Sequence, residues 1–109
     1  MTEPGFRQVL LLRWRPGTDP AAREGTLLAA LALPGETVEV LGVEVAEGRG
    51  VEDTWDAVIV MDFAHEAAWR RSLEHPAHRA FVAAHSLPTI AERAVIHHRA
   101  GDVRRSGEG

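Results

Sequence analysis

Six histidines are the residues of this chain best suited to proton transfer, and two of them stand in the sequence His-Pro-Ala-His at positions 75–78. Pro76 disfavours helical geometry in the residue before it and suits the first position of a new helix, so we expect His78 in a first helical turn. The partial positive charge at a helix N-terminus disfavours imidazolium and keeps the ring able to accept a proton. His78 is therefore the candidate general base, with a structural histidine as the alternative.

The helices on either side of the motif offer further candidates. Phe81 lies three residues after His78 on the same helix face, and Trp69 and Ser72 share a face of the preceding helix. We expect Ser72 to hydrogen-bond a substrate oxygen, and Trp69 and Phe81 to enclose the apolar part of the substrate. The alternative for Trp69 is to fill the core. His75, directly before the proline, is expected to tie the two helices together.

Two strands complete the set of candidates. Gln8 and Leu10 project to one face of the first strand, where Leu10 would enclose the substrate. Gln8 can donate or accept a hydrogen bond but cannot titrate, so its catalytic role would be to bind a developing enolate oxygen. His97 and His98 are neighbours on the last strand, so at most one of them faces the helices. His97 is assigned to the binding site as a neutral hydrogen-bond partner.

Metal and cofactor chemistry receive no support from the residue pattern. His75 and His78 are three residues apart, but the turn at Pro76 should direct them apart, and no acidic residue sits at helical spacing beside them. The chain contains no phosphate loop, dinucleotide fingerprint, or serine or cysteine nucleophile motif. We therefore predict no metal and no bound cofactor.

Composition narrows the class of protein. A chain of 109 residues makes one domain, and 45% hydrophobic with 26% charged residues is usual for a globular protein. The formal net charge of −4 argues against nucleic acid as the main partner. There is no cysteine, no apolar run of membrane-spanning length and no leader-like amino terminus. The expected location is the cytoplasm, with no membrane partner.

Hydrophobic periodicity and turn residues predict a single α+β domain over residues 1–100 and a frayed tail over 101–109. The order is β-α-β-β-α-β with the second helix broken in two, typical of a ferredoxin-like four-stranded antiparallel sheet with helices on one face. Pro88 is expected to end the last helix before a turn over 89–93. The predicted strands are Phe6–Trp14, Glu36–Ala46, Asp56–Phe63 and Ala94–Arg99, and the predicted helices run from Pro20 to about Ala32, from Ala64 to Glu74, and from Pro76 to about Leu87.

The sheet itself predicts an assembly. Strands Phe6–Trp14 and Asp56–Phe63 are apolar on both faces, yet the helices of the chain can cover only one of them. Leaving the other face in water would cost about 25 cal/mol for each Å² of apolar area, which a small domain cannot tolerate over a whole sheet face. We predict a homodimer in which two sheets face each other.

The succession of strand, Phe63, short helix, His-Pro-Ala-His-Arg-Ala-Phe at 75–81, apolar helix and final strand resembles the Dabb family. The similarity is strongest over 55–99 and weaker over 6–47. It implies small ferredoxin-like domains that pair into dimeric α/β barrels. Some members, the polyketide cyclases, close rings without a cofactor, and the resemblance implies that His78 is their acid/base residue.

Three positions differ from the cyclase pattern. The chain has His97-His98 where the cyclases carry an Asp-Tyr pair in the last strand, Gln8 where many members have a histidine, and Ser72 where the cyclases have a tyrosine. A carboxylate that orients His78 is therefore missing. The catalytic residues of the cyclases are not all present.

The leading hypothesis is a cofactor-independent enzyme that acts on a carbonyl-rich, polyketide-like or aromatic small molecule. His78 would abstract a proton from a carbon flanked by carbonyls, followed by aldol cyclisation, dehydration or isomerisation. The first alternative is a non-catalytic, stress-responsive dimer or small-ligand-binding protein. The second is a cofactor-less monooxygenase of the antibiotic-biosynthesis type.

Overall fold

A four-stranded antiparallel sheet in the order β2-β3-β1-β4 organises the computed structural model, which describes residues 5–107. Helices pack on one side of it, so the predicted ferredoxin-like α+β fold is confirmed. A 3-10 turn over Ala100–Asp102 follows the last strand, and residues 108 and 109 of the predicted tail lie outside the described residues. The elements are β1 (Phe6–Trp14), α1 (Pro20–Glu36), β2 (Gly42–Glu47), β3 (Ala57–Phe63), α2 (Glu66–Glu74), α3 (Pro76–Phe81), a π-helical turn (Val82–Ser86), α4 (Leu87–Thr89) and β4 (Ile90–Arg99).

The first helix is longer than predicted and the second strand is shorter. Helix α1 continues through Pro34 to Glu36, and β2 begins only at Gly42 rather than at Glu36. Pro34 lies in the last turn, where it removes a single backbone hydrogen bond, and the N–H of Thr37 closes the helix on the carbonyl of Leu33 at 3.0 Å. Residues 37–41 are therefore a connection, not a strand.

The end of the chain also differs from the prediction. Pro88 lies inside the short helix α4, and β4 begins at Ile90 instead of Ala94. Strand β4 pairs with the whole of β1, from Phe6 opposite Arg99 to Trp14 opposite Ile90. The prediction assigned residues 89–93 to a turn after Pro88. Because β4 is an edge strand, the polar residues Glu92 and Arg93 are compatible with strand structure.

Helices cover one face of the sheet and leave the other exposed. On the helix side, buried side chains of β1 and β3 pack against α1 to form the core. The opposite face, here called the outer face, carries apolar residues that no element within residues 5–107 buries, and Ile96 on it is 63% exposed. A bidentate ion pair between Arg7 and Asp62, at 2.7 and 3.1 Å, borders it. The apolar residues of the outer face are Val9, Leu11, Val58, Val60 and Ile96.

No helix between residues 5 and 107 has the length and apolar character needed to cross a bilayer.

Candidate functional site

A small, largely enclosed cavity lies between the helix side of the sheet and helices α2 and α3. The space open to the centre of a water molecule is about 10 Å³, which is room for roughly one water. Four of the predicted site residues meet there, from three different elements. The lining consists of Gln8, Leu33, Thr37, Val40, Met61, Phe63, Trp69, Ser72, Leu73 and His78.

His78 projects from the first turn of α3 into the wall of this cavity. Its ring is partly buried and makes no hydrogen bond to any residue in 5–107. Burial lowers the pKa of His78 from its ordinary value of 6.5, and the positive charge of Arg93 lowers it further. We expected the helix N-terminus to keep His78 neutral; burial and the charge of Arg93 act in the same direction. The imidazole is neutral at pH 7 and free to accept a proton.

Gln8 lies on β1, directly opposite His97 of β4 in the sheet register. Trp69 Nε1 donates to Gln8 Oε1 at 3.0 Å, and His97 Nε2 lies 3.1 Å from the same oxygen. Gln8 Nε2 has no hydrogen-bond partner among the described residues. The side-chain oxygen of Gln8 is therefore occupied, while its nitrogen is available to donate.

An aromatic cluster surrounds this pair of hydrogen bonds. The rings of Trp69 and His97 have centroids 4.4 Å apart, and Phe6 lies 5.4 Å from His97 and 5.5 Å from Trp69. Burial among these rings lowers the pKa of His97, and the carboxylate of Glu66 opposes that effect. His97 does not line the cavity; it contacts the side-chain oxygen of Gln8, which does.

Ser72 is buried in the cavity wall, but its hydroxyl donates to the carbonyl of Trp69 at 2.6 Å. The prediction that Ser72 hydrogen-bonds a substrate oxygen does not fit this geometry, because its one hydrogen is already used. It can still accept a hydrogen bond from a ligand.

Leu10 and Phe81 are not part of the cavity lining, in contrast to their predicted role. Leu10 is only 8% exposed and belongs to the core, because its strand face lies beneath the helices at that point. Phe81 packs against the core, and its ring centroid lies 5.9 Å from that of His85. Both residues contribute to the core instead.

The sequence did not predict that the connection between α1 and β2, residues 37–41, forms part of the cavity wall. Thr37 and Val40 of this connection are buried and line the cavity. The alternating pattern of 37–45 was interpreted as a strand, which placed these residues in the sheet instead. No local motif marks them, since their inward direction depends on where α1 ends.

Histidine side chains also cap two helices. His75 Nδ1 accepts a hydrogen bond from the N–H of Ala77 at 3.0 Å, which confirms its predicted structural role at the helix junction. His65 Nδ1 accepts from the N–H of Ala68 at 3.1 Å and begins α2, a function that the sequence did not suggest. Within the described part of the chain, no three His, Asp or Glu side chains are placed to hold a metal ion.

A family model described as the stress responsive A/B barrel domain, Dabb, matches residues 6–98. The chain belongs to the Dabb family. None of the curated proteins is a significant sequence match.

Solved structures of similar fold include other Dabb-like proteins. A dimeric ferredoxin-like protein of unknown function from Thermobifida fusca is 26% identical, with a TM-score of 0.76 over 91% of this chain and 93% of that one. A Dabb family protein from Mesorhizobium loti is 20% identical, with a TM-score of 0.74 over 88% and 96%. A hydroxynitrile lyase from Passiflora edulis is 15% identical, with a TM-score of 0.78 over 94% and 100%. The last two similarities establish the fold alone.

Proposed function

We propose that this Dabb protein is a cofactor-independent enzyme that abstracts a proton from a small carbonyl compound. The observation that carries the proposal is that a neutral His78 and the amide nitrogen of Gln8, neither hydrogen-bonded to a described residue, line one small cavity. A base and a hydrogen-bond donor in a site without bulk water are the two groups that enolate formation requires. His78 also occupies the second histidine of His-Pro-x-His, the acid/base position of the cyclases that the chain resembles.

In the proposed reaction, a ring nitrogen of His78 takes a proton from a carbon next to a carbonyl group. The electron pair of the broken C–H bond moves to the carbonyl oxygen, which becomes an enolate oxygen. Gln8 Nε2 donates a hydrogen bond to that oxygen. The enolate carbon then attacks a second carbonyl, whose oxygen becomes an alkoxide and takes the proton back from the imidazolium of His78, or the imidazolium returns the proton to the enolate at another position. The first outcome is aldol cyclisation and the second is isomerisation.

The size of the cavity requires a rearrangement before any substrate binds. About 10 Å³ holds roughly one water, so neither a small carbonyl compound nor a polyketide-like chain fits until the cavity opens. Carbon–carbon cleavage of a cyanohydrin is a second candidate reaction, supported by the fold shared with the Passiflora edulis hydroxynitrile lyase. There the base would take the hydroxyl proton, the hydroxyl carbon would become a carbonyl, and cyanide would leave.

We also propose that the protein is a homodimer formed through the outer face of the sheet. The apolar residues of that face are flanked by charged groups, as an interface with a polar rim requires. The Thermobifida fusca protein of the same fold is dimeric. The cavity lies on the opposite side of the sheet, so each subunit would hold its own site.

The experiment compares wild type, His78→Asn and a matched control, His85→Asn, which alters a histidine on the same helical stretch but outside the cavity lining. Exchange of C–H for C–D in pentane-2,4-dione and related β-diketones is followed by NMR in D₂O, and mandelonitrile cleavage is followed by benzaldehyde release. We expect a loss of at least about 100-fold in His78→Asn, the usual contribution of a general base, and no change in His85→Asn.

Equal rates in wild type and His78→Asn, with the oligomeric state unchanged, would remove the proposal. Binding of these compounds without turnover would favour the small-ligand-binding protein. Oxygen consumption with a polyphenol would favour the monooxygenase.

A further inference from the structure

The hydrogen bonds around Gln8 fix which atom of its amide faces the ligand. An indole N–H can only donate, so the atom that Trp69 Nε1 contacts at 3.0 Å must be the oxygen of Gln8. Because that oxygen can only accept, His97 Nε2, at 3.1 Å, must carry a hydrogen and donate it. Two donors therefore hold one amide oxygen, and the amide cannot turn over without losing both hydrogen bonds.

The aromatic cluster restrains these two donors. His97 packs between Phe6 and Trp69, with ring centroids at 5.4 and 4.4 Å, so its ring has little freedom to turn. Two charged groups of α2 lie near this cluster: Glu66 acts on His97, and the guanidinium carbon of Arg70 lies 5.3 Å from the centroid of the Trp69 ring. Neither of them contacts Gln8.

We infer that Trp69 and His97 are positioning residues that make Gln8 a fixed hydrogen-bond donor, so that the cavity selects a ligand with an acceptor oxygen, an anionic one above all. This inference rests on the proposed function and specifies its substrate class. Arg93 is near enough to His78 to act on its charge, and its positive charge favours an anion on the same side. A ligand that offers only donors would meet two N–H groups of Gln8 and no acceptor from it.

The first test reads the tautomer of His97 directly. Long-range proton–nitrogen NMR spectra of the uniformly ¹⁵N-labelled, full-length protein distinguish a hydrogen on Nε2 from one on Nδ1, and His97→Gln identifies the signal. We expect His97 at pH 7.5 to be neutral with its hydrogen on Nε2. A hydrogen on Nδ1 would overturn the inference, because His97 could not then donate to Gln8. This test does not depend on turnover, so it separates a failure of the inference from a failure of the proposed function.

The second test uses two probes of the same shape and opposite polarity. Benzoate offers acceptors only, and benzamidinium offers donors only. We expect benzoate to shift the Trp69 Nε1–H and His78 signals of the wild type, and benzamidinium to bind at least about tenfold more weakly. In Gln8→Glu, whose carboxylate cannot donate, the preference should reverse, and the pKa of His97 should rise because a carboxylate replaces the amide.

Trp69→Phe serves as the second variant, because it keeps a ring in the cluster but removes one donor. It should weaken benzoate binding by a smaller factor than Gln8→Glu. Equal binding of the two probes to wild type, stronger binding of benzamidinium, or no binding of benzoate would each overturn the selection of an acceptor ligand.

Discussion

Arg71 of α2 holds Glu39 of the α1–β2 connection in a two-point ion pair, with both N–O distances at 3.1 Å. The connection, residues 37–41, contributes Thr37 and Val40 to the cavity wall. Glu39 lies between these two residues in the sequence, and its ion pair with Arg71 links this part of the cavity wall to α2. The closed state of the cavity therefore depends in part on one contact between two otherwise separate elements.

Arg71→Gln should loosen the connection and open the cavity more often. An exposed ion pair is a weak restraint, so we expect the exposure of His78 to reagent to rise about 1.5- to 5-fold. The measurement is the rate of His78 modification by diethyl pyrocarbonate, followed by peptide mass spectrometry. The free energy of unfolding should change little.

Arg70→Gln is the matched control, because Arg70 pairs with Glu66 at 2.7 Å within α2 and does not bridge to the connection. It should leave the modification rate of His78 unchanged. If the two variants expose His78 equally, the ion pair of Arg71 does not restrain the cavity wall.

The sequence was most informative where a pattern depends on local chemistry. The bounds of β1 follow from an apolar stretch between turn residues, and the junction at His75 follows from the proline after it, which constrains backbone geometry whatever the surroundings. The uncovered outer face could also be predicted, because the central strands have two apolar faces and the helices of the chain can cover only one of them.

The details of the site were less predictable, because they depend on distant residues. Ser72 is a local exception, because its hydroxyl donates to the carbonyl of Trp69, three residues earlier on the same helix, and the sequence does not specify whether this serine donates to its own helix or to a ligand. The role of His97 depends on Gln8, 89 positions away, and no sequence pattern links them. Thr37 and Val40 line the cavity because α1 continues through Pro34, although the sequence predicted that the helix ends before this proline.

Ile96→Asp should convert the proposed dimer to a monomer. Ile96 lies on the outer face and is 63% exposed in the single chain, so an aspartate there would place a charge without a partner in the interface. Size-exclusion chromatography with light scattering measures the mass. Leu28→Asp is the control, because Leu28 is similarly exposed at 54% but lies on α1, on the other side of the sheet. Equal dimerisation of both variants would exclude the outer face as the interface.

Thr26→Val should destabilise the packing of α1 against α4. The hydroxyls of Thr26 and Thr89 are 2.9 Å apart in the buried interior, and Thr89 also donates to the carbonyl of His85 at 2.6 Å. Removing one hydroxyl loses a buried hydrogen bond, which costs about 1–2 kcal/mol. Thr26→Ser keeps the hydroxyl and loses only a methyl group. The free energy of unfolding is measured with denaturant at a fixed protein concentration. Thr26→Val, although closer to threonine in volume, should lose the contribution of the hydrogen bond to this free energy, and Thr26→Ser should keep it.

Stability should fall as the pH drops below about 6.5, through His78 and His97. Burial lowers the pKa of both residues below their ordinary value of 6.5, so the unfolded chain takes up protons at a higher pH than the folded protein does. Their contribution to the free energy of unfolding is complete above pH 6.5 and is lost as the pH falls toward the folded pKa values. His78→Asn and His97→Asn should each flatten the dependence of that free energy on pH between 7 and 5, and the double variant should flatten it most. The slope is compared rather than the absolute stability, because His97→Asn also disturbs the contact with Gln8. A slope in the double variant as steep as in the wild type would assign the acid sensitivity to other groups and would contradict the neutral state of His78 that the proposed reaction requires.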